Sequence, residues 1–330
     1  LGGTSTKAIE SIMSPETIQN DGPNGIYSYP LGQYANTDKA STDPCVVDAN
    51  DPNLAYKFGT MVNETVIAQT FNKDLANEYG KICGNYSLWS NLTIFWGCGT
   101  NLHRSPYNAR NHEYYSEDAV LTSGQAVAFI SGGKEYGVII APKHLAFNDT
   151  EINRTGVSVF MTEQQARENE LRGTQAAIED AGALGVMTAF NRVGITAANA
   201  HTGLLKNILR GEWGFLGFVE TDYFGVYGYM TADQAVRNGG DLMLCTTGND
   251  YNNVTVLTNS SKQAMRTAAK NILYTVVNSR AYEAENLNPG MAKWKVIMIG
   301  ADVVVALLIV GLEYTAIKNY KKRKEEEEEV

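Results

Sequence analysis

LRGEWGFLGFVETDY, residues 209–223, carries one complete structural step. The polar close of a helix, LRGE, passes through a Trp-Gly turn into the apolar run 217–221, and that run ends on Asp222. In parallel β/α folds the chemistry sits just past the C-terminal ends of strands, so a carboxylate in this place is a candidate reactive group. The alternation continues outward in both directions. Apolar runs at 92–96, 137–141, 185–190 and 241–244 read as strands, and amphipathic stretches at 64–86, 116–132, 162–180, 202–212 and 260–280 read as the helices between them. Glu117 and Asp118 suit a helix start, Thr162 with Gln165 has the spacing of a capping box, and Ala264, Ala268, Ile272 and Val276 recur every fourth residue. A (β/α)8 TIM-like barrel fits this pattern better than an open sheet, although periodicity alone does not separate the two. Residues 30–55 and 245–259 are polar and turn-rich and read as long loops.

Composition narrows the function. The chain has 330 residues, 44% hydrophobic and 19% charged, enough apolar content for a large buried core. Its net charge of −9 includes the run Glu325 to Glu329, so the remainder is only mildly acidic and a phosphate-tracking nucleic-acid binder is excluded. Cys45, Cys83, Cys98 and Cys245 are widely spaced, with no CxxC or Cys/His pairing. We therefore expect no zinc site, no disulfide and no metal or organic cofactor.

The C-terminus has a separate logic. From 296 to 312 the chain is apolar apart from Asp302, and extended to 317 it has 22 residues, long enough at about 1.5 Å each to cross a bilayer core. Trp294 flanks one end, Tyr314 and Tyr320 the other, and Lys318, Lys321, Lys322, Arg323 and Lys324 follow at once. The positive-inside rule places that end in the cytoplasm. Asp302 and Glu313 each cost roughly 2 to 3 kcal/mol at mid-membrane, less toward the ends where they lie. The expected organisation is a barrel over 1–289, a juxtamembrane and transmembrane segment over 290–317 and a charged cytoplasmic tail over 318–330, with the catalytic domain extracellular on a single-pass cell-membrane protein. That topology needs an export signal, and Leu1 is not an initiator methionine, so the signal is expected upstream.

Three strand ends offer polar groups: Asp222, the pair Lys143 and His144, and the pair Asn191 and Arg192. Asp21, in the turn Asp21-Gly22-Pro23, adds a carboxylate, and Arg104 and Arg110 follow the 92–96 strand. One carboxylate among Lys, His, Arg and Asp describes a site for a hydroxyl-rich ligand with a single anionic nucleophile or base.

Five motifs then occur in order: NDGPNGI (20–26), NLHRSPYNARNHEYYSED (101–118), KHLAFNDTEINRTG (143–156), MTAFNRVG (187–194) and LRGEWGFLGFVETDY (209–223). Over about residues 5–285 the chain resembles the catalytic barrel of family-three glycoside hydrolases, in the β-glucosidase branch and the subgroup with reversed domain order. The resemblance implies a retaining, exo-acting β-glycosidase of the β-glucosidase type, which hydrolyses terminal β-D-glucosyl residues. Asp222 matches its nucleophile. Asp21, Arg110, Lys143, His144 and Arg154 match groups that bind sugar hydroxyls, while Met187 and Tyr223 match the pocket wall. The acid/base of this family comes from an α/β sandwich domain, expected upstream and outside these residues.

The sequence departs from the family pattern at three places. Phe190 stands where many members have a Tyr that hydrogen-bonds the nucleophile, Tyr223 replaces a common Trp, and His112 replaces a Phe. Glu113 and Glu151 lie near site motifs, and ion pairing or helix capping is the expected role of both. Asn-x-Ser/Thr sequons occur at Asn63, Asn85, Asn91, Asn148, Asn153, Asn253 and Asn259, and most read as incidental, since a glycan on Asn148 or Asn153 would block the pocket. The competing reading is a membrane-anchored glycan-binding protein that keeps the pocket and has lost hydrolysis.

Overall fold

The structure is a computed structural model that describes residues 5–6, 8–22, 61–89, 92–223, 228–244, 250–282 and 293–328. It divides into two units, Leu1–Glu283 and Ala284–Val330. The expected loop at 30–55, Cys45, Cys245 and the sequon Asn91 lie outside the described residues.

The first unit is built on a six-stranded sheet. In chain order the strands are β1 (Ser5–Thr6), β2 (Thr17–Asp21), β3 (Ile94–Gly99), β4 (Ile139–Leu145), β5 (Ser158–Val159), β6 (Gly185–Thr188), β7 (Arg192–Val193), β8 (Thr196–Ala197) and β9 (Phe218–Glu220). The main sheet runs β1-β2-β3-β4-β6-β9, and β5, β7 and β8 form a small second one. Within the main sheet every pairing from β2 to β9 is parallel, as short apolar strands joined by helices require, whereas β1 pairs antiparallel with β2. The expected closed barrel is thus corrected: among the described residues the sheet does not close. The expected strand at 241–244 is reduced to one bridge, Glu220 with Leu242.

Alternation along the strands sorts side chains to the two faces. Phe95, Ile140, Val186 and Val219 join Phe129, Ile130, Ile178, Leu205 and Leu209 on the helix side. Ile94, Trp96, Ile139, Ala141, Met187 and Phe218 face the other way, against Leu242, Leu244, Ile272 and Val276. Both faces are apolar, which is why these strands read as unbroken hydrophobic runs.

Helix boundaries follow local chemistry. The expected helix at 64–86 is two, Glu64–Ala68 and Lys73–Trp89, because Phe71 takes a left-handed conformation and Asn72 then accepts from the backbone N–H groups of Asp74 and Leu75. Asp118 caps Ala119–Lys134 through the Leu121 N–H, and Thr258 with Ser261 forms a full capping box on Asn259–Val277. Thr162 caps the next expected helix, which is interrupted by a π turn at Ala166–Glu170 before Arg172–Glu179, and 203–212 is π-helical as well. Arg280 then ties the end of the domain beneath the sheet, donating from Nε to the Leu92 carbonyl and from its backbone to that of Gly137.

The second unit is one helix, Lys293–Glu328, long and apolar enough to cross a membrane over Val296–Lys324 and with none of that stretch buried.

Two glycines set how closely the Lys73–Trp89 and Ala119–Lys134 helices approach. A Cβ on Gly80 would lie 2.0 Å from the Phe129 carbonyl oxygen, and one on Gly132 2.1 Å from that of Asn77. Backbone atoms cannot step aside as a side-chain tip can. We expect Gly80→Ala to destabilise the domain by about 1 to 3 kcal/mol through overpacking, read from the denaturant midpoint.

Candidate active site

Asp222 follows β9 and is 8% exposed, with Tyr223 beside it at 43%. Its Oδ1 accepts from the Tyr223 backbone N–H at 2.7 Å. Its Oδ2 lies 3.1 Å from His144 Nε2, off the ideal N–H axis, and 3.6 Å from Arg110 NH1. Burial raises the carboxyl, but the His144 contact and the Arg110 and Lys143 charges outweigh it and hold the group down at about 2. The site keeps an ionised carboxylate at a strand end.

His144 is placed by a relay that starts on Asn148. Asn148 Nδ2 donates to the Tyr114 hydroxyl at 3.3 Å, so that hydroxyl is free to donate onward to His144 Nδ1 at 3.1 Å. Nε2 protonated toward Asp222 makes Nδ1 the acceptor from Tyr114, although Asn101 Oδ1, which accepts from the His144 backbone N–H at 2.7 Å, also lies 3.3 Å from Nδ1; the opposite neutral tautomer would set a lone pair against the carboxylate. Burial and the nearby Arg110 charge push the ring below its usual range, which favours the neutral form this relay requires.

The cations are held as firmly. Arg110 forks onto Glu113 through Nε at 3.2 Å and NH2 at 2.7 Å, which leaves NH1 between Asp222 and, at 3.7 Å, Glu151. Lys143, 1% exposed, pairs with Asp21 and lies 3.8 Å from Glu113. Burial raises Glu113 and the two cations then hold it at about 2. Arg154 donates to Glu151 at 2.6 Å and stacks 3.8 Å over the Phe190 ring.

The structure thus brings Asp21, Arg110, Lys143, His144 and Asp222 into one network, with Arg154 joined through Glu151. Met187 is buried in the apolar cluster with Trp96 and Phe218, on the sheet face below these groups. Arg192 donates to the Ile195 carbonyl at 3.3 Å, while Asn191 fixes the loop at Asp149 and Thr150. Glu113 and Glu151 are both in ion pairs. Asn148 is fully buried in the relay and cannot carry a glycan in this fold. Sequence reasoning missed Tyr114 and Asn148 as positioning residues, since nothing in their spacing marks a buried relay. Cys83 and Cys98 are buried free thiols. A cleft of about 490 Å³ lies elsewhere, along Phe147, Val159, Leu171, Leu204 and Ile208, and its carboxylates Glu163 and Glu212 are tied to Arg167.

With this geometry established, residues 54–273 match the model of the glycosyl hydrolase family 3 N-terminal domain. The chain belongs to glycosyl hydrolase family 3. Among curated family 3 relatives, it is 32% identical to the probable β-glucosidase J of Emericella nidulans and 30% identical to the β-glucosidase of Rhizobium radiobacter, over 72% of this chain and 25% and 26% of theirs. It therefore spans about a quarter of the length of these relatives. Among solved structures, it is similar to β-glucosidase 3B from Thermotoga neapolitana in complex with glycerol, with a TM-score of 0.71 and 27% identity over 89% of this chain and 40% of that one. The β-glucosidase of Kluyveromyces marxianus in complex with glucose gives 0.70 and 27% over 84% and 32%.

Arg110 serves two depressed carboxylates, Glu113 and Asp222. Arg110→Met should destabilise the protein by about 3 to 5 kcal/mol at neutral pH by leaving Glu113 and Asp222 without their guanidinium. Groups with folded values near 2 stabilise the fold above the ordinary carboxylate range, and that contribution is lost as pH falls toward 2. The gap between wild type and variant should accordingly shrink on acidification, as measured by denaturant melts from neutral to acid pH.

Proposed function

We propose that this chain is the nucleophile-bearing part of a retaining, exo-acting β-glycosidase of the β-glucosidase type. The observation that carries the reading is Asp222: a carboxylate held ionised at a strand end by His144 and Arg110, beside the Lys143–Asp21 pair. In the proposed reaction Asp222 attacks the anomeric carbon of a terminal β-D-glucosyl residue, and the C–O bond to the leaving group breaks as the bond to the carboxylate forms. The leaving oxygen takes a proton from a general acid. Water, deprotonated by the same group, then attacks the glycosyl-enzyme and releases the sugar and Asp222.

Lys143, His144, Arg110, Arg154 and Asp21 are the hydroxyl-binding set in this reading, and Tyr223 offers a half-exposed ring to the sugar face. Met187, buried beneath, supports the pocket wall. Glu113 and Glu151 accept from Arg110 and Arg154, and the cations around Glu113 hold it ionised. We assign the acid/base to a sandwich domain encoded beyond these residues, a reading supported by the quarter-length span of the relatives. The TIM-like (β/α)8 fold class is supported by the parallel sheet and by the TM-scores.

The membrane part of the proposal places the catalytic domain over 1–289 outside the cell, residues 296–317 across the bilayer and 318–330 in the cytoplasm. The apolar, unburied helix supports it. Carbonate extraction of membranes should leave the protein in the pellet, and recovery in the soluble fraction would refute the anchor.

Incubation of the full-length protein with a 2-deoxy-2-fluoro-β-glucoside should yield a glycosyl adduct on Asp222 by peptide mass spectrometry, absent from Asp222→Asn. Binding of the sugar with no adduct and no cleavage of an aryl glucoside would favour the glycan-binding reading instead.

A further inference from the structure

Strand β9 carries a second carboxyl that the site does not use. The Glu220 side chain is 1% exposed, and neither of its oxygens has a hydrogen-bond partner. Val219 points to the helix side, so Glu220 shares the face of Phe218 and lies in register with Met187, itself in register with Lys143. The groups that face it are Asp222 from its own strand end, Lys143 from β4, Asp21 from β2 and the Trp96 indole from β3. The Trp96 N–H is given to Gln19 at 3.2 Å.

The cations around it are already taken. Lys143 serves Asp21 and Glu113, Arg110 serves Glu113, Glu151 and Asp222, and Arg154 serves Glu151. Four carboxylates share three cations, and Glu220 would be a fifth anion. Lys143 and the Trp96 N–H oppose the cost of burying an ionised carboxyl here but do not outweigh it, and the group responds by keeping its proton. Burial first, and Asp222 second, push the Glu220 carboxyl well above the usual carboxylate range.

We propose that Glu220 is a neutral carboxylic acid buried beneath the charge network of Asp222 and Lys143, and that its ionisation sets the alkaline limit of sugar binding at this site. When the proton passes to water, the new anion competes with Asp21 and Glu113 for Lys143 and repels Asp222. The hydroxyl-binding groups then lose the pairing that orients them. Glu220 acts through Lys143 and Asp222 and does not touch the reacting atoms. The ligand half of this proposal rests on the glycosidase reading; the protonation half does not.

Infrared difference spectra of full-length wild type against Glu220→Gln at neutral pH test the proton directly. The carboxylic-acid C=O band should be present in wild type and missing from the variant, and its absence from wild type would overturn the proposal. Glucose binding measured by calorimetry across pH tests the consequence: the alkaline midpoint should rise by at least about one pH unit in Glu220→Gln, and an unchanged midpoint would overturn it. Glu220→Met serves as the second variant, since an apolar side chain can replace a neutral unpaired acid but would strand Lys143 if Glu220 were its anion. A collapsed Glu220→Met would therefore also count against the proposal. Failure of wild type to bind glucose at any pH would sink the sugar-site reading, while the infrared band still decides the proton.

Discussion

The Arg110 fork is the interaction on which the rest of the site depends. Two of its nitrogens are committed to Glu113, and the planar geometry of the guanidinium then fixes where NH1 points, between Asp222 and Glu151. A lysine in this place would offer a point charge with no fixed third direction. At 3.6 Å, and with the effective dielectric suited to protein sites, one Arg110–Asp222 pair is worth roughly 5 kcal/mol of attraction. The net depression of Asp222, from 3.8 to about 2, corresponds to only about 2 to 3 kcal/mol. Burial absorbs the difference, and the His144 contact joins the Arg110 and Lys143 charges in outweighing it.

The same balance explains why a lysine and a histidine can sit within a strand. β4 was expected to end at 141, with Lys143 and His144 beyond it; it runs instead through Leu145, and all of it is buried. A buried Lys is tolerated when an acid meets its Nζ, and Asp21 arrives from β2 to do so. The partner lies more than a hundred residues away in sequence, which is why periodicity ended the strand too early. β2 was missed for a related reason: TIQND has no apolar run, and its placement comes from pairing with β3 through Gln19, Asn20 and Asp21.

What was legible follows the length scale of the physics. Strand cores at β3, β6 and β9, the caps at Asp118 and Thr162, and the carboxylate after β9 are local features, set by alternation and by side chains three residues apart. Family motifs pointed to the proposed hydroxyl-binding set without any structural reasoning about contacts. The break at Phe71, the π turns and the relay from Asn148 through Tyr114 to His144 are settled by tertiary packing, and no window of sequence contains their causes.

A nucleophile and an acid place opposite demands on a pocket. Arg110 and Lys143 hold Glu113 and Asp222 well below the usual carboxylate range, and an anion suits the proposed attack at an anomeric carbon but not proton donation by the same group. Glu220 resists ionisation although Lys143 faces it, because it is buried beside Asp222 with no hydrogen-bond partner. In the proposed reaction the cation-rich network serves the nucleophile alone, which is why the proposal assigns the acid/base to a separate structural element.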